Sequence, residues 1–262
     1  MEFDKVIELN VQSKNNLKIG YKGESKFFIK EYVLREGREE EDLINAECEM
    51  MSYEKLRGFL LPRLVEFDLK VKRMILEFVE YRDFKLSKRG IDEIIDYYSN
   101  KILKASASFL PEVKFDYFEG SLFRRIRLLS EMRIVNESKI IDLFLENKKM
   151  INNSLKTFSH GDFHLGNLQY LGDDLTIVDL EHSRRDSPMY DLATVYIGLY
   201  HRRNLLKYFY SRIKNMKVFD KKMFDLMLLR RCVETLNAFK DNREFAPYVS
   251  AKKILDGLIL DF

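Results

Sequence analysis

The chain has 262 residues, 46% of them hydrophobic and 33% charged, enough to bury a core as one large domain or two small ones. Its 45 basic and 42 acidic residues leave a net charge of only +3, which excludes the strong basic surplus of a nucleic-acid-polymer binder. Two distant cysteines, Cys48 and Cys232, exclude a disulfide framework and a thiolate metal cluster; they read as buried free thiols in a reducing compartment.

The N-terminal MEFDKVIELN carries charges where a secretion signal would be apolar. The longest apolar run, LATVYIGLY from Leu192, is about half a membrane span. The expectation is a cytoplasmic protein without membrane insertion. The runs VIELN, LKIGYKG and SKFFIKEYV predict strands, with Gly23 as a turn between two of them. EGREEEDLINAECEMMSYEKLRG predicts one helix, with acids crowding its start, Gly58 stopping it, and Leu43, Met50 and Met51 facing inward. A further strand pair follows in LPRLVEFD and KVKRMILEFVE.

From Tyr81 the periodicity becomes helical. Ile91, Ile94, Ile95, Tyr98, Ile102, Ala105 and Phe109 recur at spacings of three and four. Residues 139–155 predict a second helix, and Phe224, Leu228, Cys232, Leu236 and Phe239 form one stripe of a later one. The basic doublets at 124–125, 184–185, 202–203 and 230–231 read as solvated faces. The plan is α+β, a small β-rich lobe with one helix (1–80) followed by a larger, mainly helical lobe (81–262).

One stretch interrupts the helical half. In SHGDFHLGNLQYLGDDLTIVDLE, residues 159–181, LQYL and LTIVDL flank Gly172, Asp173 and Asp174 as a tight hairpin. The hairpin brings Asn167 and Asp179 together although twelve positions separate them. An amide carbonyl and a carboxylate converging there suit a hard divalent cation, and Asp162 can accept a hydroxyl proton. Phosphoryl transfer needs that combination.

HGDFHLGN resembles the catalytic loop of the aminoglycoside phosphotransferase and choline kinase superfamily, written H-G-D-x-x-x-x-N, and VDLE resembles its metal-binding D-x-E/D segment. HSRRDSPMYDLA resembles the continuation, with Asp191 at the position of a bracing aspartate; the resemblance covers residues 158–196. It implies a two-lobed protein-kinase-like fold and transfer of the γ-phosphate of ATP, with Mg2+, to a hydroxyl of a small molecule such as a sugar, an amino alcohol or an aminoglycoside-like compound. Asp162 is then the base, His160 braces the loop, and Asn167, Asp179 and Glu181 are the metal residues. The kinase template also implies a phosphate-binding lysine on the third strand, Lys30, paired with Glu47 on the helix, with Glu49 as the alternative. Glu77 and Val79 would offer backbone groups to adenine. His164, Arg184 and Arg185 are substrate-side candidates; the two arginines suit an anionic acceptor, whereas Asp186 and Glu181 suit a cationic one.

Three features depart from regulated protein kinases. No G-x-G-x-x-G is present, and Ser13, Asn15 and Asn16 stand where glycines would; the stretch from Asp179 to Asp191 is too short for an activation loop; and the helical half is long enough to build an acceptor pocket. These favour a small-molecule acceptor over the alternative, an atypical protein serine kinase of the Bud32 and RIO kind. Alternation of His160, Asp162 and His164 also fits a metal hydrolase, but with four histidines in all the chain offers no second ligand cluster. A pseudokinase scaffold would be expected to lack some of Asp162, Asn167, Asp179 and Lys30.

Overall fold

The aromatic and β-branched runs near the N-terminus form the strands their composition favours. The computed structural model describes residues 1–11, 13–56 and 58–261, and it divides into two units: Met1–Phe84 with Asn167–Ser183, and Lys85–Gly166 with Arg184–Phe262. In the first unit β1 (Lys5–Glu8), β2 (Asn16–Lys22), β3 (Ser25–Glu31), β4 (Leu64–Asp68) and β5 (Arg73–Glu77) form an antiparallel sheet in the order β1-β2-β3-β5-β4. Gly23 turns β2 into β3 at φ 57°, in the left-handed region where a glycine costs least.

The one helix of this unit, α1 (Glu39–Lys55), opens on four acids that complement its dipole. Its buried residues are Asp42, Ala46, Cys48, Glu49 and Ser52. Leu43, Met50 and Met51, expected inside, are only half-buried. Tyr32, Met74 and Leu76 of the sheet region, with Phe28, Leu64 and Phe67 around them, already fill the space beneath the helix. In a close-packed interior that leaves room for small residues opposite, and Ala46 takes it. Next come β6 (Arg82–Asp83) and, beyond β7 (Thr157–Ser159) of the second unit, β8 (Leu168–Leu171) and β9 (Asp174–Ile177). β6, β8 and β9 make a second antiparallel sheet in the order β6-β8-β9.

In the second unit α2 (Lys88–Asn100) is capped by Ser87, whose hydroxyl accepts from the Gly90 amide at 3.0 Å. It buries Ile91, Ile94, Ile95 and Tyr98 as the spacing predicts, but it stops at Asn100 rather than reaching Phe109. Ile102–Lys104 forms a single 3-10 turn, and the serines at 106 and 108 favour the irregular backbone and turn that follow. A short α3 (Phe115–Tyr117) passes through a π-turn at Phe118–Leu122 into α4 (Phe123–Glu131). The helix expected over 139–155 is two, α5 (Glu137–Glu146) and α6 (Lys148–Ser154), parted at Asn147, whose amide donates back to the Leu143 carbonyl at 2.7 Å. β10 (Arg184–Asp186) pairs antiparallel with β7, and α7 (Pro188–Gly198), α8 (Arg203–Ile213), α9 (Lys221–Ala238) and α10 (Ala246–Asp261) complete the unit. Among the described residues no helix is long and apolar enough to cross a membrane. Cys48 and Cys232 are buried free thiols.

α9 departs from the one-stripe expectation. Phe224, Leu228, Cys232 and Leu236 are buried, but so are Leu226, Leu229, Arg230 and Val233 on its other faces. It is the unit's central helix, packed chiefly against α7 and α10. Leu229→Ala should therefore destabilise the protein by about 2–5 kcal/mol, as much as Leu228→Ala. Urea unfolding of the two variants tests this: a cost near zero for Leu229→Ala would show that face to be exposed.

Candidate active site

The hairpin at residues 168–177 is the local device that assembles the first half of the site. Gly172 at φ 64° makes the two-residue turn with Asp173, and pairing of Leu168 with Ile177 sets the register. At the open end the Val178 amide donates to the Asn167 carbonyl at 3.0 Å, bringing Asn167 and Asp179 to the same mouth. Asp179 lies two residues past β9 at φ 62°, a left-handed conformation that aspartate tolerates better than most side chains.

Lys30, on β3, reaches into that mouth. Its Nζ lies 2.8 Å from Glu49 Oε2, 2.9 Å from Asp179 Oδ1 and 3.1 Å from Glu181 Oε2. The helix acid is thus Glu49, not Glu47. Glu47 points to solvent, because the helix presents the Asp42, Ala46, Glu49 and Ser52 side to the sheet. Glu49 also accepts from the Tyr32 hydroxyl at 2.9 Å. Carboxylate oxygens of Glu49, Asp179 and Glu181 lie within 4.8 Å of one another, an all-oxygen set suited to a hard divalent cation. Asp179 is the most exposed of the three acids, and the buried Asn167 lines the same cleft.

Charge within this cluster is unequally shared. Burial works against the Lys30 ammonium, but Glu49, Asp179 and Glu181 hold it protonated well above the usual lysine range. Burial pushes the Glu49 carboxyl up to about 7, since Lys30 is divided among three acids and the other two repel a further negative charge. Glu181 goes the other way, to about 2, because Lys30, His182 and Lys14 outweigh its burial.

Two residues of the glycine-free segment also join the cluster: Asn15, which the sequence marks only as standing where a glycine would, and Lys14, which sequence reasoning missed. Lys14 Nζ lies 3.2 Å from Glu181 Oε1, and Asn15 Nδ2 donates to Glu181 Oε2 at 3.1 Å. Asn15 Oδ1 accepts from the Val33 amide at 3.2 Å, which ties the segment to the end of the sheet. These side chains line a cleft of about 670 Å³ with Lys30, Asn167, Asp179 and Glu181, within the range of small-molecule sites. Leu17, Phe28, Leu76 and Phe78 give it apolar walls, and Glu77 and Val79 stand on its edge.

In the second unit, the loop after β7 carries Asp162. Asp191, on the first turn of α7, accepts from the Ser159 hydroxyl at 2.9 Å and from the His160 and Gly161 amides at 2.8 and 3.1 Å. His160 is fully buried, and its Nδ1 accepts from the Asp162 amide at 3.3 Å. It braces backbone. His164 is largely exposed, with Nε2 3.4 Å from Asp162 Oδ2. Arg231 of α9 donates to Asp162 Oδ1 at 2.7 Å and to the Tyr190 hydroxyl at 3.1 Å. Strand alternation separates the other two arginines. Arg185 turns to the Leu110 carbonyl and Glu112, while Arg184 packs over the Tyr190 ring and donates to Asp186 at 3.0 Å. The doublets at 184–185 and 230–231 are therefore not solvated faces; Arg230 is wholly buried, and Arg184 and Arg231 are each 21% exposed.

Residues 112–209 match the model of the phosphotransferase enzyme family. The choline kinase LicA from Streptococcus pneumoniae superposes with a TM-score of 0.63 at 17% identity, over 98% of this chain and 94% of that one. A variant of the aminoglycoside phosphotransferase APH(4)-Ia, in a ternary complex with AMP-PNP and hygromycin B, gives 0.68 at 10% identity over 98% and 94%. A putative fructosamine-3-kinase from Thermobifida fusca gives 0.63 at 12% over 97% and 94%. No curated protein matches the chain. The family model spans residues 112–209, less than half of the chain, and the superpositions show that the chain shares the fold of these kinases.

Two measurements test the geometry. A carboxyl whose pKa rises on folding contributes stability that is complete below its unfolded value and is lost as pH climbs through the folded one. Glu49 should thus withdraw on the order of 3 kcal/mol between about pH 4.5 and 7. Glu49→Gln should flatten that part of the stability profile, and an unchanged slope would show Glu49 to be ionised throughout. Asp191→Ala, which strands three donors, should cost about 3 kcal/mol in urea unfolding; a loss below about 0.5 kcal/mol, typical of an uninvolved surface position, would contradict the brace.

Proposed function

We propose that the protein transfers the γ-phosphate of ATP, in the presence of Mg2+, to a hydroxyl of a small molecule. The observation that carries this reading is the convergence of Lys30, Asp179 and Glu181 on one cleft at the end of the segment that also supplies Asp162. Adenine fits against Leu17, Phe28, Leu76 and Phe78, with the Glu77 carbonyl and Val79 amide as its polar edge. Lys30 meets the phosphates. Lys14, from the segment without glycines, adds a second cation and takes the part that backbone amides play in a glycine-rich loop. Asn167, Asp179 and Glu181 hold the divalent ion, which when bound neutralises charge on the transferring phosphoryl group.

Asp162 accepts the acceptor's hydroxyl proton as the alcohol oxygen bonds to the γ-phosphorus. The bond from that phosphorus to the bridging oxygen breaks, and ADP leaves. His160 acts by holding the loop and His164 stands on the acceptor side. The buried free thiols suit a reducing compartment, and we place the protein in the cytoplasm.

An ATP-consumption screen against a metabolite panel tests the reading. Asp162→Asn should lower kcat by about 10²–10⁴ and leave the KM for ATP near its wild-type value. Lys14→Ala should raise the KM for ATP by about tenfold with a smaller effect on kcat, matching the loss of one charge-assisted contact. Full turnover in Asp162→Asn, or phosphate found on a polypeptide and on no metabolite, would contradict the proposal.

A further inference from the structure

The second unit holds a charge network that bracing of the catalytic loop does not use. Arg230, fully buried, donates to Asp186 Oδ1 at 2.9 Å and to Glu234 Oε1 at 3.1 Å. Asp186 also accepts from Arg184 Nε, and Glu234 accepts from the hydroxyls of Tyr117 and Tyr190 at 2.8 and 2.5 Å. Those contacts occupy both carboxylates. Tyr190 is the hub: the guanidinium carbons of Arg230, Arg184 and Arg231 lie 4.4, 4.7 and 5.8 Å from its ring centre.

Two features of the network leave hydrogen-bonding capacity unused. Arg184 Nη2, like Arg230 Nη2, is buried without a hydrogen-bond acceptor among the described residues, an expensive state for a cation, and Arg184 is the less enclosed of the two. Arg231 spans the Tyr190 hydroxyl and Asp162, the residue proposed to face the acceptor alcohol. If Asp162 is set aside for the reaction, Arg184, Arg230 and Arg231 face two carboxylates, Asp186 and Glu234, with Arg125 a further cation 3.4 Å from the Tyr117 hydroxyl, and positive charge is left over. An ammonium-bearing acceptor would meet like charge, which costs affinity; an anionic one would complete the balance.

We infer that the acceptor is an alcohol bearing an anionic group, a carboxylate or a phosphate monoester, which docks on Arg184 and Arg231. The inference rests on the phosphotransferase reading above. A planar guanidinium pairs with either anion through two parallel hydrogen bonds, and such a pair sets orientation as well as affinity. Docking also gives Arg231 a new partner. Its ion pair with Asp162 loosens, and the carboxylate turns to the hydroxyl it deprotonates. Arg184 and Arg231 are thus specificity-determining residues, and Arg231 couples acceptor binding to exposure of the base.

The test is calorimetric binding of four short alcohols, glycerate, glycerol 3-phosphate, glycerol and choline, to the full chain saturated with Mg2+ and AMP-PNP. Glycerate or glycerol 3-phosphate should bind at least tenfold more tightly than glycerol and choline, and whichever of the two does so identifies the anion. Arg184→Gln and Arg231→Gln should each abolish that preference while AMP-PNP affinity stays at the wild-type level, which also reports that the variants fold. Arg184→Lys and Arg231→Lys should keep part of it. Binding of glycerol or choline as tightly as the anionic alcohols, binding of none of the four, or a preference that survives both glutamine variants would overturn the inference and leave the phosphotransferase reading standing. Failure of AMP-PNP to bind the wild-type protein would instead remove that reading and the inference with it.

Discussion

A single buried ammonium, Lys30, organises the first unit. It neutralises parts of three carboxylates that reach it from α1 and from the end of the β8–β9 hairpin. Without it, Glu49, Asp179 and Glu181 would repel one another in a poorly solvated space. One ammonium cannot satisfy three acids. Glu49, the most deeply buried, is left with a pKa near neutrality, while Glu181 recruits Lys14 and Asn15 as well. In the proposed reading a bound divalent ion would relieve the acids, and nucleotide phosphates would give the lysines anionic partners.

The second unit solves a different problem, placing Asp162 in a fixed pose. It does so through backbone more than through charge, since Asp191 and His160 bind amides of the loop rather than the Asp162 carboxylate. Arg231 is the exception, because it touches the carboxylate itself. As the proposed base, Asp162 is held in place by Arg231 but also occupied, and a substrate would have to displace or share that contact.

The fold class was legible in the sequence because both periods were strong: strand runs rich in aromatic and β-branched residues, then helical spacing through Ile91, Ile94, Ile95 and Tyr98. Convergence of Asn167 and Asp179 was also legible, since a two-residue turn at Gly172 leaves one register that pairs the flanking runs. The helix acid was not. α1 has no sustained apolar face, so its phase depends on what the sheet already fills, and Glu49 rather than Glu47 follows from packing. The arginine network was also hidden. Arg230 and Arg231 lie far along the chain from Asp162, and a basic doublet within a helical pattern looks the same whether solvent or Tyr190 surrounds it. Asn15 stood out as replacing a glycine, but Lys14 did not, because a lysine between polar residues gives no sign that its side chain reaches Glu181.

The most direct test of the account is the Mg2+ dependence of nucleotide binding at the Lys30 cluster. In calorimetric titrations, AMP-PNP should bind once per chain, at least tenfold more tightly with Mg2+ than with chelator present, and Asp179→Asn should remove the metal's contribution. Equal affinity with and without Mg2+, or an Asp179→Asn protein that retains the full metal effect, would contradict the claim that these carboxylates hold a metal–nucleotide complex.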